Sequence, residues 1–201
     1  MRFSGEDVYV SVDIEADGPT LGVHSMISLG ASVAGTYDGA RFDRHDPAGV
    51  TFYAELRPDG DTFVPEALAV SGLDRDRLLR EGGDPAEVLT RFAAWVRQVA
   101  EDGRPVFVAY PASYDWTWVS YYLGRYAGGG SPFGFSGVLD MKTMYAVKAG
   151  VRLGRATKRD MPRHLLPRRP HTHHALDDAI EQAELFANLM DWPGRSSAGR
   201  G

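Results

Sequence analysis

Hydrophobic and polar residues alternate near the start of the chain and recur at helical spacing in its middle and at its end. Val8, Val10, Val12 and Ile14 alternate with Tyr9, Ser11, Asp13 and Glu15. A period of two predicts a β-strand with one apolar face. Met26 to Val33 predicts a second strand, with Ile27, Leu29 and Ala31 in alternation, and Val50 to Leu56 a third. Ala16 to Gly22, Tyr37 to Gly39 and Asp43 to Gly49 carry the glycine, proline and aspartate of turns and loops. Three strands with short connections predict an antiparallel meander.

Helical spacing then takes over. Pro65 to Val70 predicts a short helix, closed by Gly72, and Asp74 to Arg80 another. Asp84-Pro85 opens a longer helix whose Val88, Leu89, Phe92, Ala93, Val96 and Val99 share one face. Pro105 to Tyr110 is a continuous apolar run, as in a strand buried on both faces. Ser113 is placed to cap a helix from Tyr114 to Arg125; Val138 to Met141 predicts a strand and Lys142 to Ala149 a helix. The last helix runs from His174 to Met190, with Leu176, Ala179, Ile180, Ala183, Phe186, Ala187 and Met190 on one face. This order predicts an α/β fold: a mixed five-stranded sheet, antiparallel meander on one side and parallel strands on the other, flanked by helices with the first strand central. Residues 1–192 read as one domain and 193–201 as a disordered tail.

With 201 residues the chain has length enough for one sizeable core. The net charge of −5 argues against an indiscriminate coater of nucleic acid, but the charge is segregated. Between Lys148 and Arg169 the bases Lys148, Arg152, Arg155, Lys158, Arg159, Arg163, Arg168 and Arg169 face a single acid, Asp160. The absence of cysteine excludes disulfides, thiolate metal sites and thiol nucleophiles. The start of the chain lacks a signal-like apolar region and no run has membrane-spanning length, so the expectation is a cytoplasmic protein without a membrane partner.

Asp13 and Glu15, two apart on a strand, project the same way, about 6–7 Å from each other. Such a pair is either a strand end in water or half of a cation site. Asp115 lies in the first turn of a predicted helix, where any acid favours the helix dipole. Asp177 and Asp178 open the last helix in the same way, and Asp178 lies about 200° round from Leu176, off the predicted core face. Acids converging from three distant segments would repel one another and take up protons. Hard divalent ions with oxygen ligands relieve this, and two of them about 4 Å apart can clamp a phosphoryl transfer. A neighbouring histidine can take the proton of an attacking water.

Asp13-Ile14-Glu15, then Tyr114-Asp115, then His173-x-Ala175-Leu176-x-Asp178-Ala179 resemble the DEDDh group of 3′–5′ exonucleases, which includes ribonuclease T, oligoribonuclease and the epsilon subunit of DNA polymerase III. Pro65 to Gly72 also resembles the segment those proteins carry before their first long helix, and the elements correspond over residues 7–190. The resemblance implies a ribonuclease H-like fold and two Mg²⁺ or Mn²⁺ ions. It implies hydrolysis at the 3′ end of single-stranded RNA or DNA, with release of nucleoside 5′-monophosphates. It assigns Asp13 to both metals, Glu15 and Asp178 to the first, Asp115 to the second, and His173 to the general base. The four-residue gap to Asp178 favours His173 over His174, whose gap is that of a related group using tyrosine; His171 lies further upstream. A zinc site built by the histidines is the alternative.

The basic segment, with Lys158, Arg159, Arg168 and Arg169, is either a solvated linker or a contact surface for the substrate backbone. In similar enzymes residues following the Asp-x-Glu strand touch the terminal nucleotide, which suggests His24 and Met26, though packing explains Met26 equally well. A polymerase-associated proofreading or processing subunit is an alternative function. A catalytically idle nucleic-acid-binding module on the same fold is another, and the full set of acids argues against it. The resemblance leaves a homodimer open.

Overall fold

The computed structural model describes residues 5–195. Six strands and six helices follow in the order β1 (Asp7–Ala16), β2 (Met26–Tyr37), β3 (Phe42–Arg44), β4 (Thr51–Glu55), α1 (Pro65–Ser71), α2 (Arg75–Glu81), α3 (Pro85–Ala100), β5 (Arg104–Ala109), α4 (Ala112–Tyr126), β6 (Val138–Asp140), α5 (Met141–Ala149) and α6 (Ala175–Asp191). Short 3₁₀ turns between Leu153 and Leu165 fill the basic segment.

The strands form one mixed sheet in the order β3-β2-β1-β5-β6, with β4 also on β2. β1 is central, antiparallel to β2 and parallel to β5. The sheet has six strands where the pattern predicted five. The extra one, β3, is three residues long, two of them in the predicted Asp43 to Gly49 loop, because three residues are too few to show a period. β2 extends to Tyr37, so β3 pairs with its last residues while β4 pairs with Ser28 to Ser32 on the same edge.

Both faces of the sheet are covered. On one, Val10, Val12 and Ile14 pack with Val88, Leu89, Phe92 and Val96 of α3 and Trp118, Val119 and Tyr122 of α4. On the other, Tyr9, Val106 and Val108 pack with Met141 and Tyr145 of α5 and Phe186 and Leu189 of α6. The polar face of β1 is therefore not a solvent face: Ser11 and Asp13 are buried. α6 is correspondingly buried around most of its circumference, with Asp178, Glu181 and Gln182 inside as well as Ala179, Ile180, Ala183 and Phe186. Asp178, expected off the core face, is fully buried, while Leu176 is only half-buried.

Local chemistry explains the helix starts. Asp84 accepts from the backbone N–H of Ala86 and Glu87, and Pro85 needs no donor partner. Ser113 does not cap α4. The helix starts at Ala112, whose N–H donates to Asp140 Oδ1 at 3.1 Å, and Ser113 lies inside the first turn. Among the described residues no helix is long and apolar enough to cross a membrane. Of the expected disordered tail, residues 193–195 are described, and the Arg195 N–H donates to the Lys148 carbonyl at 2.9 Å. Residues 196–201 lie outside the described residues.

Candidate active site

β1 and β5 run parallel, so their C-terminal ends lie side by side and the chain leaving β5 opens α4 next to Ile14 and Glu15. Clefts at the carboxyl ends of such strands are where open α/β sheets bind ligands. Asp115, in the first turn of α4, is buried and its Oδ1 accepts the Ile14 N–H at 3.3 Å. Asp13 is buried beside it, and its Oδ1 accepts from Gln182 Nε2 at 2.7 Å. The same Gln182 accepts the Tyr110 N–H through Oε1 at 2.6 Å, so one α6 side chain links β1 to the end of β5.

Asp178 arrives from the other side. β2 presents Ser28, Gly30 and Ser32 opposite Glu15, Asp13 and Ser11. This stripe of small residues admits the first turns of α6 close to the sheet, which carries Asp178 over β1. Oxygens of Asp13, Glu15 and Asp178 lie within 4.8 Å of one another.

Three carboxylates so close, in a buried place, are costly as anions. Burial raises Asp13 well above the ordinary carboxylate range, and Asp115, Glu15 and Asp178 add repulsion. Glu15 is pushed up to about 8 by burial, then by Asp178 and Asp115. Asp115 rises to about 7, chiefly by burial, against the pull of its backbone hydrogen bonds. Lys158 opposes the shift of Asp13 only weakly, being paired with Glu181 at 2.5 Å. All-oxygen donors with unneutralised charge fit a hard divalent ion such as Mg²⁺ or Mn²⁺.

The histidines differ sharply. His174 caps α6, its Nδ1 accepting the Asp177 N–H at 3.4 Å, and its ring lies 4.7 Å from that of Tyr53. His173 is exposed, adopts a left-handed backbone with φ of 59°, and donates its N–H to Asp178 Oδ2 at 2.8 Å. Its ring is free of helix-capping duty and, with His171, has a nitrogen within 4.8 Å of an Asp178 oxygen. His171, the position furthest from the motif, also reaches the site: its Nδ1 lies 3.1 Å from Asp178 Oδ2, and its ring meets that of His173 edge-on at 4.5 Å.

The residues suggested for substrate contact divide. Met26 is corrected: it is wholly buried in the core, its N–H bonded to the Tyr122 hydroxyl, and presents no surface to a base. His24 is half-buried, with Nδ1 at 3.1 Å from the Thr20 nitrogen. The Lys158 ammonium pairs with Glu181 at 2.5 Å and lies over the Tyr110 ring, with its side chain half-buried. Arg159, Arg168 and Arg169 are exposed. Arg168 and Arg169 border a concavity of about 800 Å³ with Arg44, Arg163 and Glu184, whose lining does not include the carboxylates.

Gln182 and Gly30 carry no expectation from the sequence, and the sequence places His171 too far upstream for the base. Gln182 is one helical turn beyond Asp178, and Asp178, Glu181 and Gln182 make a polar stripe at i, i+3, i+4, a legible signal. Ser28-x-Gly30-x-Ser32 was equally legible as a small-residue face at period two. Nothing in the spacing of His171 announces its contact, which depends on the fold of the loop.

The model of the 3′–5′ exoribonuclease Rv2179c-like domain family matches residues 8–190. The chain is 37% identical over 189 residues to the 3′–5′ DNA exonuclease Cap18 of Escherichia coli, covering 92% of each. Its fold is similar to the nuclease domain of 3′hExo, a DEDDh family member solved with rAMP, at a TM-score of 0.70 and 16% identity, over 96% of this chain and 98% of that one. It is also similar to E. coli Exonuclease I in complex with a dT13 oligonucleotide, at a TM-score of 0.58 and 17% identity, over 92% of this chain and 41% of that one.

Proposed function

The chain belongs to the family of Rv2179c-like 3′–5′ exoribonuclease domains, and from that membership we propose a two-metal hydrolysis of the terminal phosphodiester of single-stranded nucleic acid, with His173 as general base and nucleoside 5′-monophosphates as products. That it is a 3′–5′ exonuclease of the DEDDh type rests on the family match and on the Cap18 relative. The observation that carries the finer reading is the meeting of Asp13, Glu15 and Asp178 oxygens within 4.8 Å, with Asp115 beside them. We take residues 1–192 as the catalytic domain.

Asp13, Glu15 and Asp178 would hold one divalent ion and Asp115, with Asp13, would support a second. Bound there, such ions acidify water and neutralise charge developing on the phosphate. The chain's own groups do the rest. Gln182 fixes the Asp13 carboxylate, so its free oxygen is aimed at the cleft. The Ile14 N–H fixes Asp115. His173 accepts a proton from the attacking water at a ring nitrogen, which its position outside α6 leaves reachable. The exposed Arg159 is suited to a phosphate of the incoming strand, where positive charge both attracts and orients the backbone.

The test uses single-stranded RNA and DNA labelled at either end, with Mg²⁺, Mn²⁺ or EDTA, on the wild type and on Asp13→Ala. The expected result is stepwise 3′ shortening, 5′-monophosphate products, and loss of both with EDTA or the substitution. Shortening that persists in EDTA, or products carrying a 3′-phosphate, would overturn the mechanism.

A further inference from the structure

Asp178 belongs to two metal-ligating groups of different chemistry. With Asp13 and Glu15 it forms an all-oxygen trio; with His171 and His173 it forms a set of two imidazoles and one carboxylate, again with donor atoms within 4.8 Å of one another. The first suits Mg²⁺ or Mn²⁺. The second is the donor set of zinc and related borderline ions, with open positions left for water. We propose that His171, His173 and Asp178 form a zinc-binding site that switches the nuclease off.

The geometry is close to what zinc requires. Ligand bonds of about 2.0–2.2 Å in a tetrahedron put ligand atoms about 3.3–3.6 Å apart. His171 Nδ1 already stands 3.1 Å from Asp178 Oδ2, and the two rings are 4.5 Å apart between centroids. Both histidines are exposed, so closing the remaining gap needs only side-chain rotation, and an ion reaches the site from solvent. The third ligand needs no movement: Asp178 is fully buried and held by the Thr172 and His173 N–H groups at 2.8 Å each. A carboxylate held by two N–H groups beneath two exposed imidazoles is a partly preorganised site. The left-handed backbone of His173, at φ of 59°, turns the chain back so that residues 171 and 173 converge on one carboxylate.

Inhibition follows from shared ligands, and this half of the inference rests on the roles proposed above for His173 and Asp178. A zinc ion there engages the ring nitrogen of the general base, so it cannot accept a proton. It also engages an Asp178 oxygen that the carboxylate trio needs for its own ion. The enzyme would then run on a hard ion and be silenced by a borderline one, with His171 contributing to silencing alone.

The experiment compares wild type, His171→Ala and Asp13→Asn in two measurements. Zn²⁺ binding is followed by calorimetry and Co²⁺ binding by visible absorption, which needs no activity. Wild type and Asp13→Asn should bind one ion with the strong visible bands of a low-coordinate cobalt site. In His171→Ala affinity should fall by more than roughly 10–100-fold, since a direct ligand is lost. The second measurement is the exonuclease rate in excess Mg²⁺ with zinc equimolar to protein, each variant referred to its own zinc-free rate. Zinc should suppress the wild type and leave His171→Ala at its zinc-free rate. Equal zinc affinity in wild type and His171→Ala, or loss of the site in Asp13→Asn, would overturn the proposal. Binding that depends on His171 in a protein with no Mg²⁺-dependent nuclease activity would support the site and strike the mechanism instead.

Discussion

The carbonyl oxygen of Ala175, in the first turn of α6, lies 2.2 Å from where a Cβ on Gly30 would stand. Gly30 is the residue paired with Asp13 across β1 and β2. The position therefore controls how closely α6, and Asp178 with it, approaches the strand that carries the other two carboxylates.

Gly30→Ala should consequently damage activity more than its single methyl group suggests. The clash is with backbone, which cannot rotate away, so overpacking should cost about 1–3 kcal/mol. Thermal denaturation and the exonuclease rate should both fall. Gly124→Ala is the control, since that helical glycine has open space around its Cβ position and should be neutral or stabilising by up to about 1 kcal/mol. Equal behaviour of the two variants would refute the role given to Gly30.

Asp13→Asn should separate activity from stability. Activity should drop by about a thousand-fold or more, because several kcal/mol of charge stabilisation depend on that ligand. In metal-free buffer at neutral pH the variant should melt higher than the wild type, because burial and three neighbouring acids oppose the Asp13 anion. A lower melting temperature would show that the carboxylate stabilises the fold.

Metal-free stability should fall as pH rises. Glu15 and Asp115 are raised to about 8 and about 7. The folded state thus keeps protons that the unfolded chain has released. Their contribution to stability is fully present below the unfolded values of about 4. It is lost as pH climbs through the folded values. In EDTA the melting temperature should decline between about pH 5 and pH 8. Added Mg²⁺ should raise it more at pH 8 than at pH 6, because binding requires the deprotonated ligands. A stabilisation by Mg²⁺ that is the same at both values would contradict the assignment.

His173→Ala and His174→Ala should fail in different ways. The first should lose roughly 10²–10⁴-fold in rate, with little change in melting temperature. The second removes a helix cap and a ring packed on Tyr53, so it should cost about 1 kcal/mol of stability and less activity. Rates reversed between the two folded variants would move the base to His174.

Gln182→Glu should be more harmful than Gln182→Ala. The amide donates to Asp13, whereas a carboxylate would repel it in the same buried place. Kinetics against Mg²⁺ concentration should show the larger rise in required metal for Gln182→Glu.

The sequence by itself determined the central strand and which face each of its residues takes, because strict alternation from Val8 to Glu15 has the period of a strand. It set out the order of the elements apart from β3 and, through the motifs it shares with the DEDDh group, pointed to Asp13, Glu15, Asp115 and Asp178. Local rules were sufficient for those elements, since strand period and helix caps act within a few residues, but not for the acids, which read locally as a strand end and as first-turn charges. Those rules could not yield β3, which is too short to show a period, nor the burial of Met26 and Asp178, which depends on what lies opposite. The convergence of the carboxylates was decided by tertiary structure. It required the small face of Ser28, Gly30 and Ser32 to admit α6, and the parallel pairing of β1 with β5 to bring α4 alongside. His171 shows the limit most plainly. Its side chain meets Asp178 only because a left-handed turn at His173 folds the loop back, and a contact made by such a turn leaves no period for a sequence to display.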